Sequence, residues 1–137
     1  MNEFKLLVCG GRHFGWKELP TRQPVPDMEN LKILAKELSK IHQSVKNLHM
    51  ELVIIHGDEK NGADNWASKW ATDNDVKQIP FPADWKTHGK AGGPIRNKQM
   101  LVDGQPNLML ATPGGKGTKN MVEQAQKFNV PVKFLKV

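Results

Sequence analysis

The feature that most constrains the fold is a glycine-rich loop between an apolar segment and an amphipathic one. Residues 107–111 form a short apolar run, and three glycines follow within residues 114–117. The next run has helical periodicity, and its apolar face consists of Met121, Val122, Ala125 and Phe128. This pattern predicts a strand, a tight turn and a helix that begins near residues 117–118.

The same loop is a candidate anion site. The N-terminus of a helix presents free N–H groups and a positive dipole end, so a phosphate-sized group is its natural occupant. The spacing matches neither G-x-x-x-x-G-K-[ST] nor G-x-G-x-x-G, the two common nucleotide fingerprints. On spacing alone, a tight strand-to-helix connection without a ligand is an open alternative.

Strands and helices are predicted to alternate along the whole chain. Apolar runs that are typical of strands cover residues 4–9, 51–55, 76–81, 107–111 and 130–135. Such alternation favours an α/β, Rossmann-like three-layer fold with a mostly parallel sheet of about five strands. Each glycine-rich segment follows a strand, so all of them are expected at the carboxyl edge of the sheet, where ligands bind in open α/β folds.

Several local signals refine this expectation. Asp27 is predicted to cap an amphipathic helix, and Pro80 favours an edge position for the third strand because proline cannot donate to a ladder. Pro94 is predicted to occupy the first position of a short helix. The three prolines in residues 12–27 exclude a helix there, so this segment is expected to be a long connection that serves as a binding loop or is a mere insertion.

Composition limits the class of protein. The 137 residues, of which 38% are hydrophobic and 25% charged, fit one domain over residues 1–137. The single Cys9 permits no internal disulfide, and no export signal or membrane-spanning run is present, which predicts a cytoplasmic protein without a membrane partner. The net charge of +6 is dispersed rather than clustered, and no ligand spacing typical of a metal site occurs.

The motifs at four strand ends resemble one family. They are 10–12 (GGR), 56–64 (HGDEKNGAD), 82–97 (PADWKTHGKAGGPIRN) and 113–118 (PGGKGT). Together they are similar to the small domains related to YspA within the SLOG superfamily, which includes the LOG phosphoribohydrolases and the DNA-processing protein A family. The resemblance implies a Rossmann-like fold that binds a nucleotide or nucleotide-derived molecule, with its phosphate on the PGGKGT loop.

The resemblance also bears on activity. In LOG enzymes a glutamate that follows the glycine loop serves cleavage of the N-glycosidic bond of a nucleoside monophosphate, together with an arginine that precedes the methionine of a neighbouring helix. Arg96 matches that arginine, but Asn120 stands where the glutamate is expected. An amide cannot act as a general base at neutral pH, although it can hydrogen-bond a ribose hydroxyl. An enzyme of this type would need Asp64 or a loop carboxylate in place of the glutamate.

The predicted ligand-binding residues are Gly10, Gly11, Arg12, His56, Gly57, Asp64, Trp85, Arg96, Asn97, Pro113, Gly114, Gly115, Lys116, Gly117, Thr118 and Asn120. Glycine N–H groups and the Thr118 hydroxyl are expected to hold phosphate, with Arg96 and Arg12 neutralising its charge. Asp64 and Asn120 are assigned to ribose hydroxyls and Trp85 to base stacking. Ordinary structural roles are the alternatives: a solvated surface residue for Arg12, a dipole contact for Asp64, and a core-edge packing residue for Trp85.

Three functions are consistent with these observations. The first is binding of a nucleotide-type small molecule, as a sensor, sequestering or processing protein, with no cofactor. The second is a phosphoribohydrolase-like N-glycosidase with Arg96 and Asp64 as catalytic residues. The third is a single-stranded nucleic acid binder, which the net charge favours and the dispersal of the basic residues opposes. A homodimer is a further expectation, by analogy with relatives that pair through helices beside the site.

Overall fold

The computed structural model of the chain describes residues 2–20 and 22–137; Met1 and Thr21 lie outside this description. The strands are β1 (Glu3–Cys9), β2 (Trp16–Leu19), β3 (Arg22–Pro26), β4 (Glu51–His56), β5 (Lys77–Pro80), β6 (Leu108–Ala111) and β7 (Val132–Phe134). The helices are α1 (Met28–Asn47), α2 (Ala63–Asp73), α3 (Trp85–His88), α4 (Gly92–Val102) and α5 (Lys116–Lys127), with a 3-10 turn at Gly89–Ala91.

The main sheet has five strands in the order β5-β4-β1-β6-β7, and every neighbouring pair is parallel. The chain moves outward from β1 through β4 to β5, then returns to the other side of β1 for β6 and β7. This reversal creates a switch point at the carboxyl end of β1, between the loops that follow β4 and β6. The predicted α/β, Rossmann-like fold with a five-stranded parallel sheet is therefore confirmed, as is the edge position of β5.

The core is divided between the two faces of the sheet. Leu6 and Val8 of β1 belong to one apolar cluster with residues of α1 and α2, while Leu7 and Cys9 belong to another with residues of α4 and α5. Successive strand residues point to opposite faces, so a nearly continuous apolar strand supplies both clusters. The result is a sheet with helices on both faces, so the surface left uncovered for a ligand is the edge formed by the carboxyl ends of the strands.

The start of α1 follows the sequence signal. The Asp27 side chain accepts a hydrogen bond from the Asn30 N–H at 3.3 Å, as expected of an N-cap residue. Leu34, Leu38 and Val45 of this helix are buried against the sheet. The predicted cap and amphipathic helix are therefore confirmed.

Two local predictions need correction. Apart from Thr21, which lies outside the described residues, the predicted connection at 12–27 contains an antiparallel hairpin, in which Trp16 of β2 pairs with Pro26 of β3. Prolines are tolerated there because each strand of a two-stranded sheet has an unpaired edge. Helix α4 begins at Gly92, so Pro94 is its third residue; this is still the first turn, where a missing N–H costs no intrahelical bond.

Candidate functional site

A cleft of about 920 Å³ opens at the carboxyl edge of the sheet, at the switch point. Its volume lies within the range of small-molecule sites. Of the predicted site residues, those that line it are Gly10, Gly11, Arg12, Asp64, Trp85, Arg96, Asn97, Pro113, Gly114, Gly115, Lys116, Gly117, Thr118 and Asn120. The structure thus brings together residues from four separate segments, whereas His56 and Gly57 do not line the cleft.

The N-terminus of α5 faces this cleft without a side-chain cap. Gly115 is the N-cap residue and forms no side-chain hydrogen bond to the helix. The N–H groups of the first helical turn have no intrahelical acceptor, so they are available to an anion. A Cβ built on Gly115 or Gly117 would meet no atom within 4 Å. The glycines at these two positions therefore leave open space beside the free N–H groups.

Other glycines hold the loops after β1 and β6 together. A side chain at Gly10 would collide with the Thr112 hydroxyl, and a Cβ on Gly114 would lie 2.6 Å from the backbone nitrogen of Gly11. The Gly11 N–H donates to the Pro113 carbonyl at 3.0 Å. Only residues without a Cβ permit this approach, so the two loops form one closely packed wall of the cleft.

Arg96 is buried in the opposite wall, with its guanidinium held by three residues from two segments, α4 and the loop 57–62. Its Nε donates to Asn97 Oδ1 at 3.0 Å, Nη1 donates to the Gly57 carbonyl at 2.6 Å, and Nη2 lies 3.4 Å from Glu59 Oε1. The Arg96 side chain is only 10% exposed. The arginine predicted to neutralise ligand charge thus already has a carboxylate partner within the protein, and Gly57 participates through its carbonyl rather than by lining the cleft.

Asp64 lies in the first turn of α2, buried beside this network. Burial raises the pKa of Asp64 to about 6, against the opposing effect of the positive charge on Arg96. Desolvation disfavours the carboxylate more than the nearby cation favours it. A carboxyl group that ionises near neutral pH at the wall of a cleft can both accept and donate a proton.

Asn120 takes part in a hydrogen-bond chain at the base of the cleft. Its Oδ1 accepts from Asn97 Nδ2 at 3.1 Å and from Gln124 Nε2 at 2.8 Å. Gln124 also donates to the Pro94 carbonyl at 3.2 Å, which ties α5 to α4. The side-chain oxygen of Asn120 is therefore used in joining the two helices, and its amide nitrogen is the group left to meet a ligand.

His56 is buried behind the cleft and has structural partners on both ring nitrogens. Nδ1 accepts from the Asp58 N–H at 3.0 Å, so the proton is on Nε2, which donates to Gln78 Oε1 at 3.1 Å. Burial lowers the pKa of His56, which keeps the ring neutral. His56 was predicted to bind the ligand because it follows a strand. In the structure its two hydrogen bonds instead stabilise the β4–α2 loop.

Trp85 lines the cleft with 47% of its surface exposed. A Cβ built on Gly92 or Gly93 would lie 3.2 or 3.0 Å from its indole, so α4 supports one part of the ring. The exposed remainder leaves aromatic surface for a planar group.

Sequence reasoning missed several lining residues: His13, Trp16, Asn30, Glu59, Asn61 and Lys90. Trp16 reaches the cleft from the unpredicted hairpin, and its ring packs 5.5 Å from that of Trp66. Glu59 and Asn61 lie between the glycines of the loop 57–62, and this position was the signal that could have identified them. Among the described residues, no group of three His, Cys, Asp or Glu side chains could hold a metal ion, and no helix has the length and apolarity to cross a membrane.

The fold and the position of the cleft define a Rossmann-like domain with a candidate ligand site at its switch point. The profile of the YspA, cpYpsA-related SLOG family matches residues 4–88, which run from β1 through α3. This is well over half of the chain, and the chain belongs to that family.

One similar protein is the Gene 61 protein of Mycobacterium phage D29. It is 38% identical over 90 residues, which are 59% of this chain and 69% of the phage protein. No solved structure matches the chain. The family match ends before α4 and the PGGKGT loop, so it includes neither Arg96 nor the N-terminus of α5.

Proposed function

We propose that this protein binds a nucleotide or nucleotide-derived ligand, with a phosphate group at the N-terminus of α5. The observation that carries this proposal is the uncapped first turn of α5, which faces the cleft with open space at Gly115 and Gly117. Free N–H groups and the helix dipole favour an anion at this position. Membership in a SLOG family supports a ligand related to nucleotides.

The other cleft residues supply the remaining parts of such a site. Arg12 and Lys116 are exposed cations at the rim that would attract a phosphorylated ligand. Asp64 and the amide nitrogen of Asn120 are suited to ribose hydroxyls, and the exposed part of the Trp85 indole is suited to a base. These assignments give the ligand one anionic, one hydroxyl-bearing and one planar group.

A thermal-shift screen followed by calorimetry tests the proposal. The panel contains nucleoside mono-, di- and triphosphates, ADP-ribose, NAD and cyclic nucleotides. A ligand at a hundred times its Kd stabilises the folded state by roughly 2.7 kcal/mol. Gly115→Asp places a carboxylate at the positive end of α5, where it stabilises the helix but repels a phosphate, so we expect binding to be lost while the protein remains folded.

Ser44→Asp is the matched control because it adds the same charge on the exposed surface of α1, away from the cleft. It should bind like the wild type. Equal binding by Gly115→Asp and Ser44→Asp would contradict the assignment of the phosphate to the N-terminus of α5. The absence of binding by every ligand of the panel would overturn the proposal.

Cleavage of a nucleoside 5′-monophosphate is the second candidate function, and the position of Asp64 favours it. A buried carboxyl with a pKa of about 6 beside Arg96 can take a proton from a water as its oxygen bonds to C1′ and the N-glycosidic bond breaks, and the carboxyl can then give this proton to the departing base. The expected result is release of free base by the wild type and none by Asp64→Asn. Intact nucleotide after prolonged incubation, with binding demonstrated, would leave binding alone as the function.

A further inference from the structure

The cleft has two ends of different charge. One is the N-terminus of α5, which follows β6; the other is the loop 57–62, which follows β4 and carries Glu59. Because β4 and β6 flank β1, and neighbouring strands are about 4.8 Å apart, the carboxyl ends of the two strands that lead into these loops are about 10 Å apart. A ligand with its phosphate at α5 therefore extends across the end of β1 toward Glu59 and Asp64.

The guanidinium of Arg96 is largely used at this second end. Three of its N–H groups donate hydrogen bonds to Asn97, Gly57 and Glu59. Each guanidinium carries five such donors, so few remain for a ligand. The bond to the Gly57 carbonyl, at 2.6 Å, further fixes its orientation.

Two carboxyl groups face that single cation. Glu59 forms an ion pair with Arg96 and its side chain is 31% exposed, while Asp64 is almost completely buried beside them. An anion brought here would compete with Glu59 for Arg96 and lie close to both carboxyl groups. A ligand hydroxyl, by contrast, can donate to a carboxylate oxygen without disturbing the ion pair.

We propose that Glu59 is a specificity-determining residue, which makes the β4 end of the cleft accept a ribose with free hydroxyls and reject one that carries a second phosphate. This inference rests on the proposed function, since it assumes that a first phosphate is bound at α5. It names the ligand class more narrowly: a nucleotide phosphorylated at one end, with its ribose diol unmodified. Ligands phosphorylated on both sides of the ribose are excluded by charge.

Calorimetric titration with matched ligands tests the inference. For each base, a nucleoside 5′-monophosphate is compared with the 3′,5′-bisphosphate, which differs only by the second phosphate. The wild type should bind the monophosphate at least tenfold more tightly. Glu59→Gln retains a hydrogen-bond acceptor for Arg96 but removes the charge, and we expect it to reduce this preference by about tenfold, which corresponds to ~1.4 kcal/mol.

Glu51→Gln is the control, because it removes an equal charge at the start of β4, on the opposite edge of the sheet. Its preference should equal that of the wild type. If the wild type binds a monophosphate but shows no preference over the bisphosphate, the inference is overturned even without the variants. An unchanged preference in folded Glu59→Gln overturns the assignment to Glu59. Failure of every 5′-monophosphate to bind overturns this inference, and the proposed function is overturned with it only if the other ligands of the panel also fail to bind.

Discussion

Gly117→Ala separates the structural and functional reasons for glycine in the loop. Gly117 is the second residue of α5, and a Cβ there would meet no protein atom within 4 Å. Alanine is favoured over glycine within helices by up to about 1 kcal/mol, and by less near a terminus. We therefore expect Gly117→Ala to raise stability by ~0.5 kcal/mol, a Tm increase of about 2 °C for a chain of this length.

Ligand binding should respond in the opposite direction. If a phosphate occupies the space beside the first turn of α5, the added methyl group intrudes on its approach, and we expect an affinity loss of at least about tenfold. The assay is a thermal melt of each variant with and without the best ligand of the panel. A variant that is stabilised and still binds like the wild type would refute the assignment of phosphate to this turn.

Gly114→Ala provides the contrasting control. A Cβ at Gly114 would lie 2.6 Å from the Gly11 nitrogen and collide with the Thr118 hydroxyl. Overpacking of this kind costs about 1–3 kcal/mol, so this variant should melt at a lower temperature even without ligand. Two glycines three residues apart are thus expected to have opposite effects on stability, and equal melting temperatures would contradict the packing described for the loop.

Two further predictions concern buried groups. Burial raises the pKa of Asp64 from 3.8 to about 6, so the stability that the neutral carboxyl confers is lost as pH rises from about 4 to 6. Urea titrations should show Asp64→Asn gaining about 2.4 kcal/mol relative to the wild type between pH 4 and pH 8, and a pH-independent difference would contradict this. Burial raises the pKa of the Cys9 thiol to about 12, with a smaller contribution from the charge of Asp64. Iodoacetamide at pH 8 should therefore label the unfolded protein but not the native protein, because the thiolate is the reactive form. Equal labelling rates would show that the thiol is accessible and would contradict this prediction.

The open edge of the sheet was predictable because several local signals agree on it. Apolar runs end in glycine at Gly10 and Gly57, and the helix that follows the first connection has an explicit cap in Asp27. Each signal depends on neighbouring residues only, so it can be read from one stretch of chain. Parallel strands then place all these turns on one edge whatever the details of packing.

The electrostatics of the site could not be predicted in the same way. Arg96 and Glu59 are 37 residues apart, and their pairing depends on how α4 approaches the loop after β4. The partners of His56 likewise come from β5 across the sheet and from its own loop. The hairpin was missed for a different reason: its prolines mask the strand pattern, and its pairing depends on a register that no local signal specifies.

The β2–β3 hairpin has a consequence for how this protein can diverge. It forms a separate two-stranded sheet, and it contributes Trp16 to the wall of the cleft. Insertions or deletions in the hairpin can therefore reshape the cleft without shifting the register of any strand in the five-stranded sheet. Changes in the hairpin can therefore alter the range of ligands while the five-stranded sheet stays the same. Relatives that share the sheet are expected to differ most in this segment.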